Sequence, residues 1–156
     1  MNYLNMPLPD RKPIRVLAAV SPGSFPLVSQ ALGDNFDIVF CTSLATAETL
    51  LDESIDIIIG GVHFDECRMF KLLRLCKSSD RVKEIAFVCI KFLEGELEEH
   101  AYEAVDIASK ALGGDGFIDL YQSKKKLGEN QAHNKLRNLL KTLVEVRKLQ
   151  DRDSSE

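Results

Sequence analysis

The chain has 156 residues, of which 45% are hydrophobic and 28% charged, a balance that is typical of one soluble globular domain. Its net charge of −4 excludes a strongly basic protein that binds nucleic acid through its overall charge. A domain of this size buries about two-thirds of the surface that its unfolded chain exposes, so it can fold without a metal or a disulfide.

Cellular location is predicted from features that the sequence lacks. Residues 1–12 have no positively charged start followed by an apolar core, so they do not resemble a signal peptide. No apolar run approaches the ~20 residues that a membrane-spanning helix requires. The four cysteines form no Cys-x-x-Cys pair and are typical of reduced, packed thiols; they are Cys41, Cys67, Cys76 and Cys89. We therefore expect a cytoplasmic protein that does not enter a membrane and does not bind nucleic acid directly.

The first half of the chain predicts three strands that alternate with helices. Three prolines among polar residues make residues 1–13 a flexible N-terminal arm. The strands are short β-branched and apolar runs at residues 14–20, 36–41 and 55–59. The helices have apolar residues at three-to-four spacing and cover residues 25–32, 45–51 and 69–76. Gly60 and Gly61 are expected to form the turn after the third strand.

The second half predicts two more strands and two more helices. Residues 85–90 form the fourth strand, and an acidic patch at residues 94–99 leads into the fourth helix. The core-facing residues predicted for that helix are Ala101, Ala104, Val105, Ala108, Ala111 and Leu112. A cluster of glycines then ends the helix. The remaining predictions are a fifth strand at residues 117–120, a basic linker at 122–128, a last helix at 130–149 and a polar tail at 150–156.

The order of these elements predicts the fold. Strands that are joined by helices are parallel, and their crossover connections are right-handed. Five strand-then-helix units give an α/β, flavodoxin-like (βα)5 three-layer sandwich with helices on both faces of a parallel five-stranded sheet. The expected strand order is 2-1-3-4-5. We expect one domain over residues 14–149.

Two segments resemble a known family. Residues 56–62, Asp-Ile-Ile-Ile-Gly-Gly-Val, resemble the third strand of the receiver domain of bacterial two-component response regulators. Residues 113–117, Gly-Gly-Asp-Gly-Phe, resemble the turn and the aromatic residue that open the fifth strand of that domain. The order and lengths of the elements are also similar. The resemblance implies a protein of signal transduction whose fourth helix, fifth strand and last helix form a dimer and output surface.

The residues on which the chemistry of that family depends are replaced in this chain. The resemblance places the phosphoacceptor aspartate at Gly61, which has no carboxylate. It places the two acidic residues that hold Mg²⁺ at Ser21 and Pro22, which lack the carboxylate oxygens that this ion prefers. We therefore expect a pseudo-receiver that is not phosphorylated in the usual way and that has no metal and no cofactor.

Two further positions of the phosphorylation site also differ. The resemblance places a hydroxyl residue of the fourth strand at Cys89 or Ile90, and the lysine of the fifth strand at Leu120. Asp65 and Glu66 lie on the loop after the third strand. Either carboxylate would replace the missing phosphoacceptor only if that loop folded back over the sheet, a possibility that the sequence leaves open.

The missing side chains predict room for a ligand at the carboxyl ends of the strands. The candidate pocket consists of Ser21, Ser24, Gly60, His63 and Lys91. Helix N-termini at this edge of the sheet favour anions. The alternative function is therefore a small-anion or nucleotide-like ligand binder. Since no acid, base and nucleophile can be grouped, we expect no enzymatic activity.

The last helix is the main candidate for an interaction surface. Its apolar stripe is wider than one face, and the candidate interface residues are Leu136, Leu139, Leu140, Leu143 and Val146. One part of such a stripe covers the sheet while the remainder is available to a partner. The acidic patch and the basic last helix also favour pairing between molecules. The first hypothesis is thus a receiver-like interaction module that forms a homodimer or binds a protein partner through this helix.

Overall fold

The computed structural model describes residues 12–93 and 101–154. Its strands are β1 (Ile14–Ala19), β2 (Phe36–Cys41), β3 (Ile57–Gly61), β4 (Ala86–Lys91) and β5 (Phe117–Asp119). Its helices are α1 (Phe25–Leu32), α2 (Leu44–Leu50), α3 (Met69–Ser78), α4 (Ala101–Ala111), α5 (Leu120–Leu127) and α6 (Glu129–Ser154). The predicted arm as far as residue 11 and the acidic patch at residues 94–99 lie outside the described residues.

The five strands form one parallel sheet in the order β2-β1-β3-β4-β5, which confirms the predicted fold class. The register pairs Gly61 of β3 with Ile90 of β4. It pairs Lys91, the last residue of β4, with Asp119, the last residue of β5. The carboxyl ends of these three strands therefore lie side by side at one edge of the sheet.

Helices cover both faces of the sheet because its strands are apolar on both sides. Helices α1 and α6 pack on one face, against a cluster that includes Val16, Ile57 and Val88. Helices α2 and α3 pack on the other face, against Leu17 and Ile58. The result is the three-layer sandwich that the sequence predicts. Within the described ranges, no helix is both long enough and apolar enough to cross a membrane.

Helix α6 buries one face through residues that are spaced four apart. These residues are Ala132, Leu136, Leu140 and Val144, and each is at most 3% exposed. A spacing of four residues is slightly more than one helical turn, so the four side chains form one stripe. Beyond Val144 the helix continues to Ser154, so part of the predicted polar tail is helical.

Two predicted boundaries in the fifth unit are wrong. The predicted linker at residues 122–128 is helical, since α5 spans Leu120–Leu127. Its last turn carries Lys124, Lys125 and Lys126, and cations at this end interact favourably with the helix dipole. The fifth strand therefore ends at Asp119 rather than at Leu120.

Gly60 and Gly61 are part of β3 and do not form the predicted turn. Both residues pair with β4, and both are buried. The core-facing side predicted for α4 also needs correction. Val105 packs against the core, whereas Ala104 and Ala111 are exposed. Helix α4 contacts the edge strand β5.

Candidate functional site

Helix α5 begins directly after β5, at the edge of the sheet where open α/β folds bind their ligands. Asp119 is the N-cap of α5, and its Oδ1 accepts a hydrogen bond from the backbone N–H of Gln122 at 3.0 Å. This cap stabilises the abrupt change from strand to helix. As a result, Tyr121 in the first turn of α5 lies close to the carboxyl end of β4.

A buried ion pair joins the ends of β4 and β5. Lys91 Nζ lies 3.5 Å from Asp119 Oδ1, and the two side chains are 1% and 14% exposed. The register brings both side chains to the same face of the sheet because the two residues are direct neighbours across parallel strands. Desolvation of an unpaired ammonium costs several kcal/mol, so the carboxylate of Asp119 favours a lysine in this position. Among the described residues, Asp119 Oδ2 is buried and has no hydrogen-bond partner.

The ring of Tyr121 contacts two lysine ammonium groups. Lys91 Nζ lies 4.9 Å from the centre of the ring, and Lys125 Nζ lies 4.7 Å from it. Both distances are within the ~6 Å over which a cation interacts with an aromatic ring. The ring thus connects α5 to the ion pair between Lys91 and Asp119.

Hydrocarbon lies against Gly61, the position at which the family resemblance places the phosphoacceptor. A Cβ atom added to Gly61 would lie 3.1 Å from Cγ1 of Val20, a residue that is fully buried. A Cβ atom added to Gly60 would lie 2.7 Å from two ring carbons of Phe87, which is closer than real Cβ atoms approach. Both glycines therefore allow a close approach of neighbouring side chains, and they do not leave an empty pocket.

The residues of the predicted ligand pocket differ in their exposure within the described part of the chain. Ser24 and Lys91 are 2% and 1% exposed. The Ser21 and Ser24 hydroxyls lie 3.4 Å from each other, while His63 is exposed on the loop after β3. The pocket for a small anion or a nucleotide therefore stays a prediction.

Asp65 and Glu66, the possible substitutes for the phosphoacceptor, are engaged elsewhere. Asp65 Oδ2 accepts a hydrogen bond from the backbone N–H of Leu44, the first residue of α2, at 2.7 Å. Its Oδ1 pairs with Arg68 Nη1 at 3.0 Å. Glu66 is 84% exposed and lies 3.7 Å from the same guanidinium. Asp65 therefore stabilises the start of α2.

Other carboxylates near the sheet also accept hydrogen bonds from backbone amides. The pairs are Asp56 with Arg15 N at 2.8 Å, Asp106 with Phe117 N at 3.2 Å and Asp115 with Phe87 N at 2.9 Å. These bonds satisfy the backbone amides of the first or second residue of β1, β4 and β5. In the part of the chain that the structure describes, no three His, Cys, Asp or Glu side chains are grouped so that they could hold a metal ion.

The cysteines divide into three buried thiols and one exposed thiol. Burial raises the pKa of Cys41 and of Cys89 to about 11 and that of Cys76 to about 12. A thiol with such a pKa is almost entirely protonated at neutral pH and is a poor nucleophile. Cys67 is exposed, on the loop between β3 and α3.

The structure corrects the predicted interface on the last helix. Leu136 and Leu140 are 3% and 0% exposed and belong to the stripe that faces the sheet, so a partner cannot reach them. Leu139 and Leu143 are half-buried, and Val146 is 45% exposed. The accessible part of the predicted interface is therefore Leu139, Leu143 and Val146.

A groove of about 360 Å³ lies beside this accessible part, between β5, α5 and α6. Its apolar lining includes Phe117, Ile118 and Leu139. Lys126 of α5 and Lys135 of α6 also line it. The groove therefore combines apolar residues with Lys126 and Lys135 from two helices and with Asp119 from β5.

Sequence reasoning misses the residues that surround Lys91. It places Asp119 in the interior of the fifth strand and Lys125 in a linker, and it assigns no role to Tyr121. A signal is nevertheless present, because Asp119 and Gln122 are spaced like the first and last residues of a helix capping box. That spacing predicts a helix start at residue 120, and hence a carboxylate at the strand end.

Solved structures of response regulators and their receiver domains are similar to this chain. A response regulator from Thermotoga maritima has a TM-score of 0.61 and 18% sequence identity, covering 85% of this chain and 98% of that one. The signal receiver domain of the DNA-binding response regulator merR from Colwellia psychrerythraea has a TM-score of 0.57 and 16% identity, covering 82% and 98%. The phosphorylated cyanobacterial phytochrome response regulator RcpA has a TM-score of 0.59 and 14% identity, covering 81% and 91%.

Sequence comparisons alone give no match: the chain matches no protein-family model and no curated protein sequence. The structural neighbours are nevertheless receiver domains, and the strand order of this sheet is the one that the flavodoxin-like fold requires. This chain therefore has the flavodoxin-like fold of response regulator receiver domains.

Proposed function

We propose that this chain is a receiver-like protein-interaction module of bacterial signal transduction that does not depend on phosphorylation of an aspartate. The fold of its neighbours supports a place in signalling. Hydrocarbon next to Gly61 supports the loss of phosphorylation, because a Cβ atom at this position would lie 3.1 Å from Cγ1 of Val20. Ser21 and Pro22 also supply no carboxylate oxygen for Mg²⁺. Lys91, which ends the neighbouring strand β4, is already paired with Asp119.

The observation that carries the proposal is the row of accessible apolar residues on α6. Leu139, Leu143 and Val146 follow one another at spacings of one helical turn, and Val146 is 45% exposed. The row lies beside the groove that Phe117 lines. An apolar row of this kind does not stabilise a monomer in water. Burial of the row against a partner stabilises the complex through the hydrophobic effect.

Helix α4 extends the same region on the other side of β5. Asp106 of α4 accepts a hydrogen bond from the backbone N–H of Phe117, which places α4 directly beside this strand. Ile107 is 60% exposed on α4. The proposed partner face therefore comprises α4, β5 and α6, and it is bound either by a second copy of the chain or by another protein.

The proposal is tested with Val146→Glu, measured by size-exclusion chromatography with light scattering over a range of concentrations. We expect the parent to form a dimer or a complex with its partner and Val146→Glu to dissociate it. Val146 lies beyond the buried stripe of α6, so the change leaves the core intact. Leu127→Glu is the matched control, because Leu127 is 40% exposed at the end of α5 and outside the proposed face.

Leu139→Glu and Leu143→Glu extend the test to the rest of the row. Both residues are half-buried, so their unfolding midpoints must be compared with that of the parent before any loss of association is interpreted. If Val146→Glu and Leu139→Glu both associate as strongly as the parent does, this face is not the interface. A change of mass on addition of beryllofluoride and Mg²⁺ would contradict the loss of phosphorylation.

A further inference from the structure

The last part of α6 extends beyond the residues that pack on the sheet. The buried stripe of this helix ends at Val144, and the helix continues to Ser154. At a rise of about 1.5 Å per residue, the part after Val144 adds about 15 Å of helix. None of the described side chains at residues 145–150 is buried. Packing against the sheet therefore does not stabilise residues 145–150.

Two large apolar side chains on this segment are exposed. Val146 is 45% exposed and Leu149 is 55% exposed, and they are about one helical turn apart. They continue the row that begins with Leu139 and Leu143, which are half-buried. A helical segment gains most of its stability when its apolar side packs against another element. The four residues therefore indicate that a second helix lies alongside α6.

The spacing of this row is self-complementary. Leu139 and Leu149 are equally distant from residue 144, and Leu143 and Val146 are centred between residues 144 and 145. In two antiparallel helices that are related by a two-fold axis, residues at equal distances on either side of the axis lie opposite each other. An axis at this point places Leu149 of one copy opposite Leu139 of the other, and Val146 opposite Leu143. Each copy then covers the exposed apolar residues of the other.

The same axis brings opposite charges together. It places residue 153, an aspartate in the last turn of α6, opposite Lys135. Lys135 is exposed, and it lines the groove of about 360 Å³ together with Lys126 of α5. Residues 120–141 contain six lysines and arginines against one glutamate, whereas residues 151–156 contain three acidic residues against one arginine. A parallel pair would place the two basic segments side by side, where like charges repel.

We infer that two copies of this chain associate through antiparallel packing of their α6 helices. The last turns of each α6 then lie along the groove beside α6 of the other copy. The inference rests on the proposed function, because it selects a second copy as the partner of that face. The position of the axis and the complementary charges favour a second copy over an unrelated protein. In a two-fold dimer the contact between Lys135 and Asp153 occurs twice, so one change of sequence acts at both ends of the interface.

The first test reverses these charges separately and together, with the dissociation constant measured by sedimentation equilibrium at low salt. We expect a dimeric parent, and about tenfold weaker association for Lys135→Glu and for Asp153→Lys, because each change places like charges at both ends. The double variant Lys135→Glu/Asp153→Lys should associate within about twofold of the parent, since the charges are opposite again.

Lys135→Glu/Glu48→Lys is the matched control for the double variant. It has the same net charge, but Glu48 is exposed on α2, and α2 packs on the opposite face of the sheet from α6. We expect this control to associate as weakly as Lys135→Glu alone. Recovery in the control would show that net charge, and not the contact between residues 135 and 153, governs association, and would overturn the inference.

The second test measures the orientation of the two helices by electron paramagnetic resonance, as distances between spin labels. The labels are attached to Gln131→Cys in a Cys67→Ser background, because Cys67 is the exposed native thiol. In the antiparallel dimer the two labels should be about 40 Å apart, because residue 131 lies far along the helix from the axis. Parallel helices would bring them to about 10–20 Å. Glu145→Cys is the control, since residue 145 lies at the axis and gives a short distance in both orientations.

The outcomes separate the inference from the proposed function. A parent that is monomeric at every concentration overturns the inference and leaves another protein as the partner of the face. A short distance at residue 131, or equal association of Lys135→Glu and the parent, also overturns it. If Val146→Glu dissociates that same dimer, the partner face remains while the antiparallel arrangement is excluded. A dimer that Val146→Glu leaves intact overturns both the inference and the proposed face.

Discussion

Lys91 and Asp119 are neighbours across β4 and β5, and their charged groups lie 3.5 Å apart at the edge of the sheet where receiver domains are expected to carry out phosphoryl chemistry. The family resemblance places a lysine at the end of the fifth strand. In this chain the lysine ends β4, and a carboxylate ends β5. The two charges lie within ion-pair distance, so each interacts with the other at the ends of β4 and β5.

The first prediction concerns this ion pair. Lys91→Met removes the ammonium and leaves the carboxylate of Asp119 buried without its cation. We expect the free energy of unfolding to fall by roughly 3 kcal/mol, because loss of one partner from a buried pair leaves an uncompensated charge. Urea denaturation followed by far-UV circular dichroism measures this change.

The double variant Lys91→Met/Asp119→Asn is the control for that prediction. It removes both charges, and the amide oxygen that it introduces at position 119 can still accept the hydrogen bond from Gln122 N. We expect the double variant to be more stable than the sum of the two single losses predicts. Strictly additive losses would contradict the pairing of Lys91 with Asp119.

The second prediction concerns Gly61, at which the family resemblance places the phosphoacceptor. Gly61→Asp introduces a carboxylate at this position, but its Cβ atom would lie 3.1 Å from Cγ1 of the buried Val20. We expect the variant to lose about 1–3 kcal/mol of stability through overpacking. We also expect no label from radioactive acetyl phosphate, because Ser21 and Pro22 supply no acidic ligand for Mg²⁺.

Alanine variants of Gly60 and Gly61 test the steric effect at this strand end without introducing a carboxylate. Its added Cβ atom would lie 2.7 Å from the ring of Phe87, whereas the corresponding distance for Gly61→Ala is 3.1 Å, to Val20. Gly60→Ala should therefore be the less stable of the two alanine variants. The opposite order, or Mg²⁺-dependent labelling of Gly61→Asp, would show that the strand end is more open than this packing indicates.

Most of the fold follows from local patterns that the sequence contains. The residue bounds of β2 and α1 are predicted correctly, because β-branched and apolar runs and a helix that ends at Gly33 depend on neighbouring residues alone. The strand order follows from the alternation of strands and helices. These features do not require knowledge of contacts between distant segments.

The site is predicted less well because it depends on contacts between distant segments. Gly60 and Gly61 have the signature of a turn, but pairing with β4 keeps them in a strand. Sequence reasoning places Lys91 in a pocket, while its partner Asp119 lies on another strand and becomes a neighbour only through the register. Burial of Leu136 likewise depends on which part of a wide apolar stripe faces the sheet.

The third prediction concerns thiol reactivity. Cys67 is exposed, whereas burial raises the pKa of Cys41, Cys76 and Cys89 to about 11 or 12. We expect one fast-reacting thiol in the native protein and four after denaturation, counted with Ellman's reagent. Cys67→Ser should abolish the fast reaction. Rapid reaction of a second native thiol would show that one of the three buried cysteines opens to solvent.

The last prediction concerns a buried imidazole on α6. His133 is 6% exposed, and among the described residues its Nε2 has no hydrogen-bond partner. Burial lowers the pKa of His133, the positive charges of Lys124 and Arg137 lower it further, and Glu129 acts in the opposite direction. The unfolded chain therefore binds a proton to this imidazole at a higher pH than the folded protein does.

Because the pKa of His133 is lower in the folded state, the stability linked to this residue is complete above its ordinary pKa of 6.5 and is lost as the pH falls through the folded value. We expect the urea midpoint of the parent to decrease from about pH 7.5 to about pH 5.5. His133→Phe keeps an aromatic ring in the same space and removes the titrating group, so its midpoint should decrease less. If His133→Phe loses as much stability as the parent over this pH range, other titrating groups cause the pH dependence. An NMR titration that gave His133 a pKa above the ordinary value of 6.5 would reverse the sign of the argument.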